Sequence, residues 1–109
     1  MQNETILGKI TYVHFGVTDG RFGLTLTLSG SWSAQTSDVV WDPVETPPVE
    51  HARWTVEDQD KALAEMLRRV SKLLNDAKVS DVKNLLGKPV EFTSKDGMLN
   101  TWRILTEVL

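Results

Sequence analysis

The stretch FGLTLTLS, residues 22–29, constrains this chain more than any other. Phe22, Leu24, Leu26 and Leu28 take every second position, and Gly23, Thr25, Thr27 and Ser29 fill the positions between. A two-residue period puts the first set on one face of a strand and the second on the other, so one face is buried and the other wet, as in an antiparallel sheet. Turn signals bracket it. Asp19-Gly20 suits a tight hairpin, because glycine accepts the positive φ that such a turn needs, and Ser29-Gly30-Ser31 marks a second turn. Across the Asp-Gly turn lies ILGKITYVHF, residues 6–15, rich in β-branched and aromatic residues and therefore the partner strand.

The rest of the chain adds a helix and further strands. WSAQTSDVVW, residues 32–41, reads as a weaker strand, polar in the middle and bounded by two tryptophans. Residues 42–53, DPVETPPVEHAR, hold three of the four prolines and read as a loop. Thr55 is the expected N-cap of the main helix, with Glu57 and Asp58 placing negative charge at its positive end and Trp54 just before it. Leu63, Met66, Leu67, Val70, Leu74 and Ala77 recur at helical spacing as one apolar stripe. Ser80 is expected to cap a short second helix, DVKNLL, stopped by Gly87. Pro89 leads into a strand, PVEFT, and a turn over residues 94–97 leads into a last strand from Met98 to about Val108. The expected fold is α+β: an antiparallel β-sheet in the order β-β-β-α-α-β-β, with one long helix and one short helix packed on it, forming a single domain over residues 1–109. The strands that begin and end the chain are expected at sheet edges, where they offer surfaces for pairing with a second copy.

Composition narrows the function classes. A formal charge of −3 disfavours a bulk electrostatic grip on a nucleic-acid polymer or an acidic membrane, while leaving room for a local arginine pocket. The absence of cysteine removes disulfides, thiolate catalysis and thiolate metal sites. The opening MQNETILGK lacks the basic start and apolar run of a signal peptide, and no segment approaches the roughly 20 apolar residues of a membrane span. A cytoplasmic protein is expected. Only His14 and His51 could serve as histidine bases, and neither stands in a nucleophile motif; His14 reads as a partly buried strand residue. Glu50-His51 and the acids at the helix start do not make a zinc pattern. No catalytic residue, metal site or cofactor is expected.

What remains is an unusual set of aromatics and arginines. Trp102 shares strand phase with Asn100, Ile104 and Val108, which favours packing, whereas Arg103 points to the opposite side with Thr101 and Leu105 and calls for an anion or solvent. Trp32 and Trp41 lie in the least regular segment, open to either packing or ligand contact. Flat aromatic faces with nearby arginines suit a nucleobase and its phosphates, by stacking and by bidentate hydrogen bonding.

Two stretches carry a resemblance. They are GKITYVHFG followed by GLTLTLSGSW, and LLNDAKVSDVKNLLGKPVEFTSKDGMLNTWRILTEVL; the proline-rich middle lies outside it. Together they resemble small proteins of phages and prophages, and within that set the Thoeris anti-defence sponge proteins, which sequester cyclic ADP-ribose-type signals or cyclic oligonucleotides before a host immune effector senses them. The resemblance implies a protomer that assembles as dimers or higher oligomers, with nucleotide pockets that use aromatic residues for the base and arginines for phosphates. The positions implied here are Phe15, Arg21, Phe22, Trp32, Asn100 and Arg103. It further implies sequestration of a cyclic nucleotide without chemistry. The alternative is a small acidic phage inhibitor of a host defence protein, similar in kind to anti-CRISPR proteins, in which Asp38, Asp42, Glu45, Glu50, Glu57, Asp58 and Asp60 face a basic target.

Overall fold

A computed structural model describes residues 4–41 and 55–109. Five strands form one antiparallel sheet: β1 (Glu4–Thr18), β2 (Arg21–Ser29), β3 (Ser33–Trp41), β4 (Pro89–Lys95) and β5 (Met98–Ile104), arranged β3-β2-β1-β4-β5. Among the described residues a single long helix, α1 (Val56–Ala77), stands between β3 and β4 in the chain. The first strand is therefore the centre of the sheet, not an edge; the edges are β3 and β5. The hydrophobic pattern of β1 cannot reveal this, because a central and an edge strand bury the same single face when helix covers only one side.

Both Asp-Gly turns form as their residues dictate. Asp19 and Gly20 have φ of 51° and 74°, and Asp96 and Gly97 have φ of 54° and 78°, the left-handed pair of a tight two-residue hairpin. Thr18 faces Arg21 across the first, and Lys95 faces Met98 across the second.

The sheet curls because β1 is shared in two halves. Residues Glu4 to Lys9 pair with β4, while Lys9 to Thr18 pair with β2, and the register shifts between Ile10 and Tyr12. A bulge of this kind bends its strand and sharpens the twist. The bend brings β3 and β5, the two edges, close to each other. Gly8 makes the curl possible at close quarters: a Cβ there would run into the carbonyl of Ser29 at the end of β2.

The inner face of the curl is the core. Ile6, Ile10, Leu24, Leu26, Leu28, Val90, Phe92 and Ile104 meet Met66, Val70 and Ala77 of α1, with Leu85 closing one end. Helix α1 begins as expected, at Thr55, whose hydroxyl accepts from the Asp58 amide while the Asp58 carboxylate accepts from the Thr55 amide, both at 3.0 Å. Its buried face centres on Gln59, Met66, Val70 and Ala77. Leu67 does not belong to it and is half exposed, because at about 100° per residue it stands a full step round the helix from Met66.

Three further expectations are corrected. The short second helix is a single 3₁₀ turn, Val82–Leu85, and its cap is Asp81, whose carboxylate accepts from the Lys83 amide, rather than Ser80. With Leu86 already extended, there is no room for a second helical turn. Among the described residues the element order is thus β-β-β-α-β-β with 3₁₀ turns. The last strand stops at Ile104, and Thr106–Val108 form another 3₁₀ turn that leaves Val108 exposed. The proline-rich stretch 42–53 with its acids and His51, and Trp54, lie outside the described residues. Among the described residues no helix is long and apolar enough to cross a membrane.

Candidate functional site

The six positions singled out in the sequence do not converge in the folded chain. Phe15 and Phe22 pack edge to face, 5.2 Å between ring centroids, on the inner face near the β1–β2 turn. Arg21 lies one residue away but on the outer face, because Phe22 continues the inward alternation of Leu24, Leu26 and Leu28. Trp32 precedes β3 and is half-buried, its ring 6.0 Å from that of the fully buried Phe92, which makes it core. Asn100 falls where the β4–β5 register shifts, is left without an opposite residue, and is exposed.

Arg103 is the member of the set whose surroundings are chemically full. Its guanidinium donates through Nη1 and Nη2 to the two carboxylate oxygens of Glu107, both at 3.0 Å, and through Nε to Glu91 at 3.2 Å. Glu91 faces it across β4–β5, and Glu107 comes from the terminal 3₁₀ turn. Those hydrogen bonds, Glu107 first and Glu91 second, raise the Arg103 pKa and hold the Glu107 carboxyl down to about 2. The anion that Arg103 calls for is supplied from within the chain. Trp102, by contrast, packs inward against the core, as its strand phase indicates.

A partner for Arg21 was missed. Trp41 faces it across β2–β3, and the guanidinium carbon stands 5.6 Å from the Trp41 ring centroid. The signal was present: once Ser29 faces Ser33 around the Gly30 turn, counting outward on both strands brings Arg21 opposite Trp41. His14 is half-buried on the same outer face, and its Nε2 has no hydrogen-bond partner among the described residues.

A cavity lies elsewhere among the described residues, in the seam where β3 and β5 draw together beside α1. It has a volume of about 750 Å³. Leu24, Leu26, Val70, Leu73, Trp102 and Ile104 give it an apolar wall. Its charged lining is Arg69, Lys72 and Arg103 with Asp38 and Asp76. Every cation is clamped. Arg69 donates through Nε and Nη2 to the two oxygens of Asp38, at 2.7 and 2.8 Å, and this contact raises the Arg69 pKa. Lys72 donates to Asp76 at 2.8 Å, one turn along α1. Arg69 reaches the seam because it stands on the flank of α1 beside the buried Met66–Val70 face, while Asp38 occupies an inward-phased position of β3 opposite Leu24.

The seam thus sets an apolar wall that includes Trp102 beside cations that are each held by a carboxylate of the chain. Among the described residues no group of three or more histidine or acidic side chains is placed to hold a metal ion. Compared with protein-family models, curated proteins and solved structures, the chain matches none at a significant level.

Proposed function

We propose that this chain is a non-catalytic binding protein for a small anionic ligand of the nucleotide class, and that the ligand enters the cleft between β3 and β5. The observation that carries the reading is the juxtaposition of Trp102 with Arg69, Lys72 and Arg103 around a cavity of about 750 Å³, a volume in the range of small-molecule sites. Apolar side chains offer a face for a base, and the arginines offer planar donor pairs for phosphate. The resemblance to Thoeris anti-defence sponge proteins supplies the finer reading: a phage protein in the host cytoplasm that sequesters a cyclic ADP-ribose-type or cyclic oligonucleotide signal, acting as a homo-oligomer. Sequestration needs affinity and copy number, and no chemistry. The test is a titration of purified protein with cyclic ADP-ribose isomers and cyclic di- and trinucleotides, with linear ATP and NAD as controls. A ligand at one hundred times its dissociation constant stabilises the fold by about 2.7 kcal/mol, and sequestration requires that it be recovered intact. Absence of stabilisation by every nucleotide removes the reading.

A second reading is favoured by the connectivity. A long first strand shared between the second and fourth, a helix between the third and fourth, and a third strand drawn towards the fifth is the arrangement of OB-type Greek-key barrels, which bind oligonucleotides or oligosaccharides on the face of strands two and three. Here the outer face carries Trp41 with Arg21, Tyr12, and the hydroxyl pair of Thr25 and Ser37. A shared connectivity does not carry a function, and the acidic chain disfavours a phosphate polymer, so the ligand on this reading is a sugar ring stacked on Trp41. Trp41→Ala would then abolish glycan binding while Arg69→Gln leaves it intact; the opposite pattern supports the cleft.

A further inference from the structure

The carboxylates that clamp the cleft arginines are themselves informative, and the inference drawn from them rests on the binding function proposed above. Asp38 meets Arg69 with two parallel hydrogen bonds, and Glu107 meets Arg103 in the same way. A phosphate binds a guanidinium in this geometry. Both pairs are exposed on at least one side, with Arg69 at 56% and Arg103 at 48% side-chain exposure. Solvent reaches both pairs, so an incoming anion can compete with the carboxylate for the guanidinium.

The charge balance makes exchange a requirement. Arg69, Lys72 and Arg103 are matched by Asp38, Asp76 and Glu107, with Glu91 adding a further negative charge beside Arg103. An anion that entered without displacing a carboxylate would meet a neutral or negative wall. Each arginine is seated on a different element: Arg69 on α1 beside β3, Arg103 on β5 beside the terminal 3₁₀ turn. Both arginines line the cavity, and each is held by a carboxylate of its own, so a molecule lying along the cavity meets the two forks as separate seats.

We propose that the cleft takes a ligand with two separate anionic groups, one replacing Asp38 on Arg69 and the other replacing Glu107 on Arg103. Asp38 and Glu107 are internal stand-ins for the two groups. The second exchange frees the turn Thr106–Val108, which Glu107 ties to β5, so ligand entry unlatches the C-terminal residues.

Calorimetric titration with adenosine 3′,5′-bisphosphate and with cyclic AMP, which carries one phosphate, tests this. The bisphosphate is expected to bind more tightly. Arg69→Gln and Arg103→Gln are each expected to weaken it by about tenfold or more, the loss of a charge-assisted contact. Asp38→Asn and Glu107→Gln, which remove the stand-ins, are expected to strengthen it, a change that a merely destabilised fold would not produce. If both probes bind equally, or only one arginine matters, or the stand-in variants bind less well, the two-seat inference fails while the binding function stands. If neither probe binds, the two-seat inference fails, and the binding function is decided separately by the cyclic-nucleotide titration.

Discussion

The β1–β2 hairpin end and the β3/β5 seam each hold arginines and aromatic residues, and they are built in opposite ways. At the hairpin end, Arg21 meets Trp41 and Phe15 meets Phe22 by strand register alone, propagated from two tight turns. At the seam, Arg69 of α1 meets Asp38 of β3, and Arg103 of β5 meets Glu107 of the terminal turn, beside a cavity that exists only because the sheet has curled. Local chemistry fixes the first region, and long-range closure fixes the second. At the hairpin end Arg21 is free of any carboxylate among the described residues, whereas the seam is concave and each cation lining it is already neutralised. A concave, charge-balanced site is one in which ligand and internal partner compete, which is how selectivity for a ligand of matching anionic spacing can arise.

Changes that break the shared core should have the largest effect. Phe92 is fully buried, packs against Trp32 and faces Trp102 across β4–β5. Phe92→Ala is expected to cost about 3–5 kcal/mol in chemical denaturation, and to abolish cleft binding with it. A loss below about 1 kcal/mol would show that the seam is not supported from beneath.

Gly23 joins the two regions. Its φ is 152°, and a Cβ there would run into the carbonyl of Asp38, the residue that clamps Arg69. Gly23→Ala is expected to destabilise by about 1–3 kcal/mol through backbone strain, and to shift β3 away from α1. The shift is visible as altered amide chemical shifts at Asp38 and Arg69, with those at Arg103 unchanged.

Thr55→Ala removes the helix cap and should cost about 1 kcal/mol, measured by thermal unfolding, since the capping box is the described anchor of the helix that carries Arg69. Arg21→Ala with Trp41→Ala, taken as a double-mutant cycle, should give a coupling of about 0.5–1 kcal/mol, confined to the hairpin end and without effect on cleft binding.

The smallest effect is electrostatic and confined to the seam. The Glu107 carboxyl is held down to about 2 from an ordinary value of 4.5 by Arg103. A depressed carboxylate contributes stability that is fully present above its ordinary value and is lost as pH falls towards the depressed one. The Arg103–Glu107 latch should therefore hold at pH 5 and open on acidification towards about 2, and Glu107→Gln should flatten that limb of a stability-versus-pH curve. An unchanged limb would show that the latch is not formed in solution.

How far the sequence could be read follows the same division. Alternation in residues 22–29, the Asp-Gly turns and the Thr55 cap are local signals, and the elements they specify stand where the residues put them. The central place of β1 was not legible, because it depends on the bulge after Ile10 and on the close approach that Gly8 permits. The short helix after Ser80 failed for want of length before Gly87. Of the six candidate residues, Arg103 lines the cleft; Phe15, Arg21 and Phe22 stay at the hairpin end, Trp32 in the core and Asn100 at the β4–β5 irregularity. Arg69 was not singled out and Asp38 stood as one acid among several, since nothing in a pattern of local spacing joins residues 31 positions apart.

The most direct test of the cleft as the functional site is a thermal-shift measurement with cyclic di-AMP, which carries two phosphates, on the wild-type protein and on Arg69→Gln, Arg103→Gln and Arg21→Gln. The account predicts a rise in Tm for the wild type and for Arg21→Gln, and its loss in both seam variants. A rise that survives the seam variants but disappears in Arg21→Gln would move the site to the hairpin end and contradict the account.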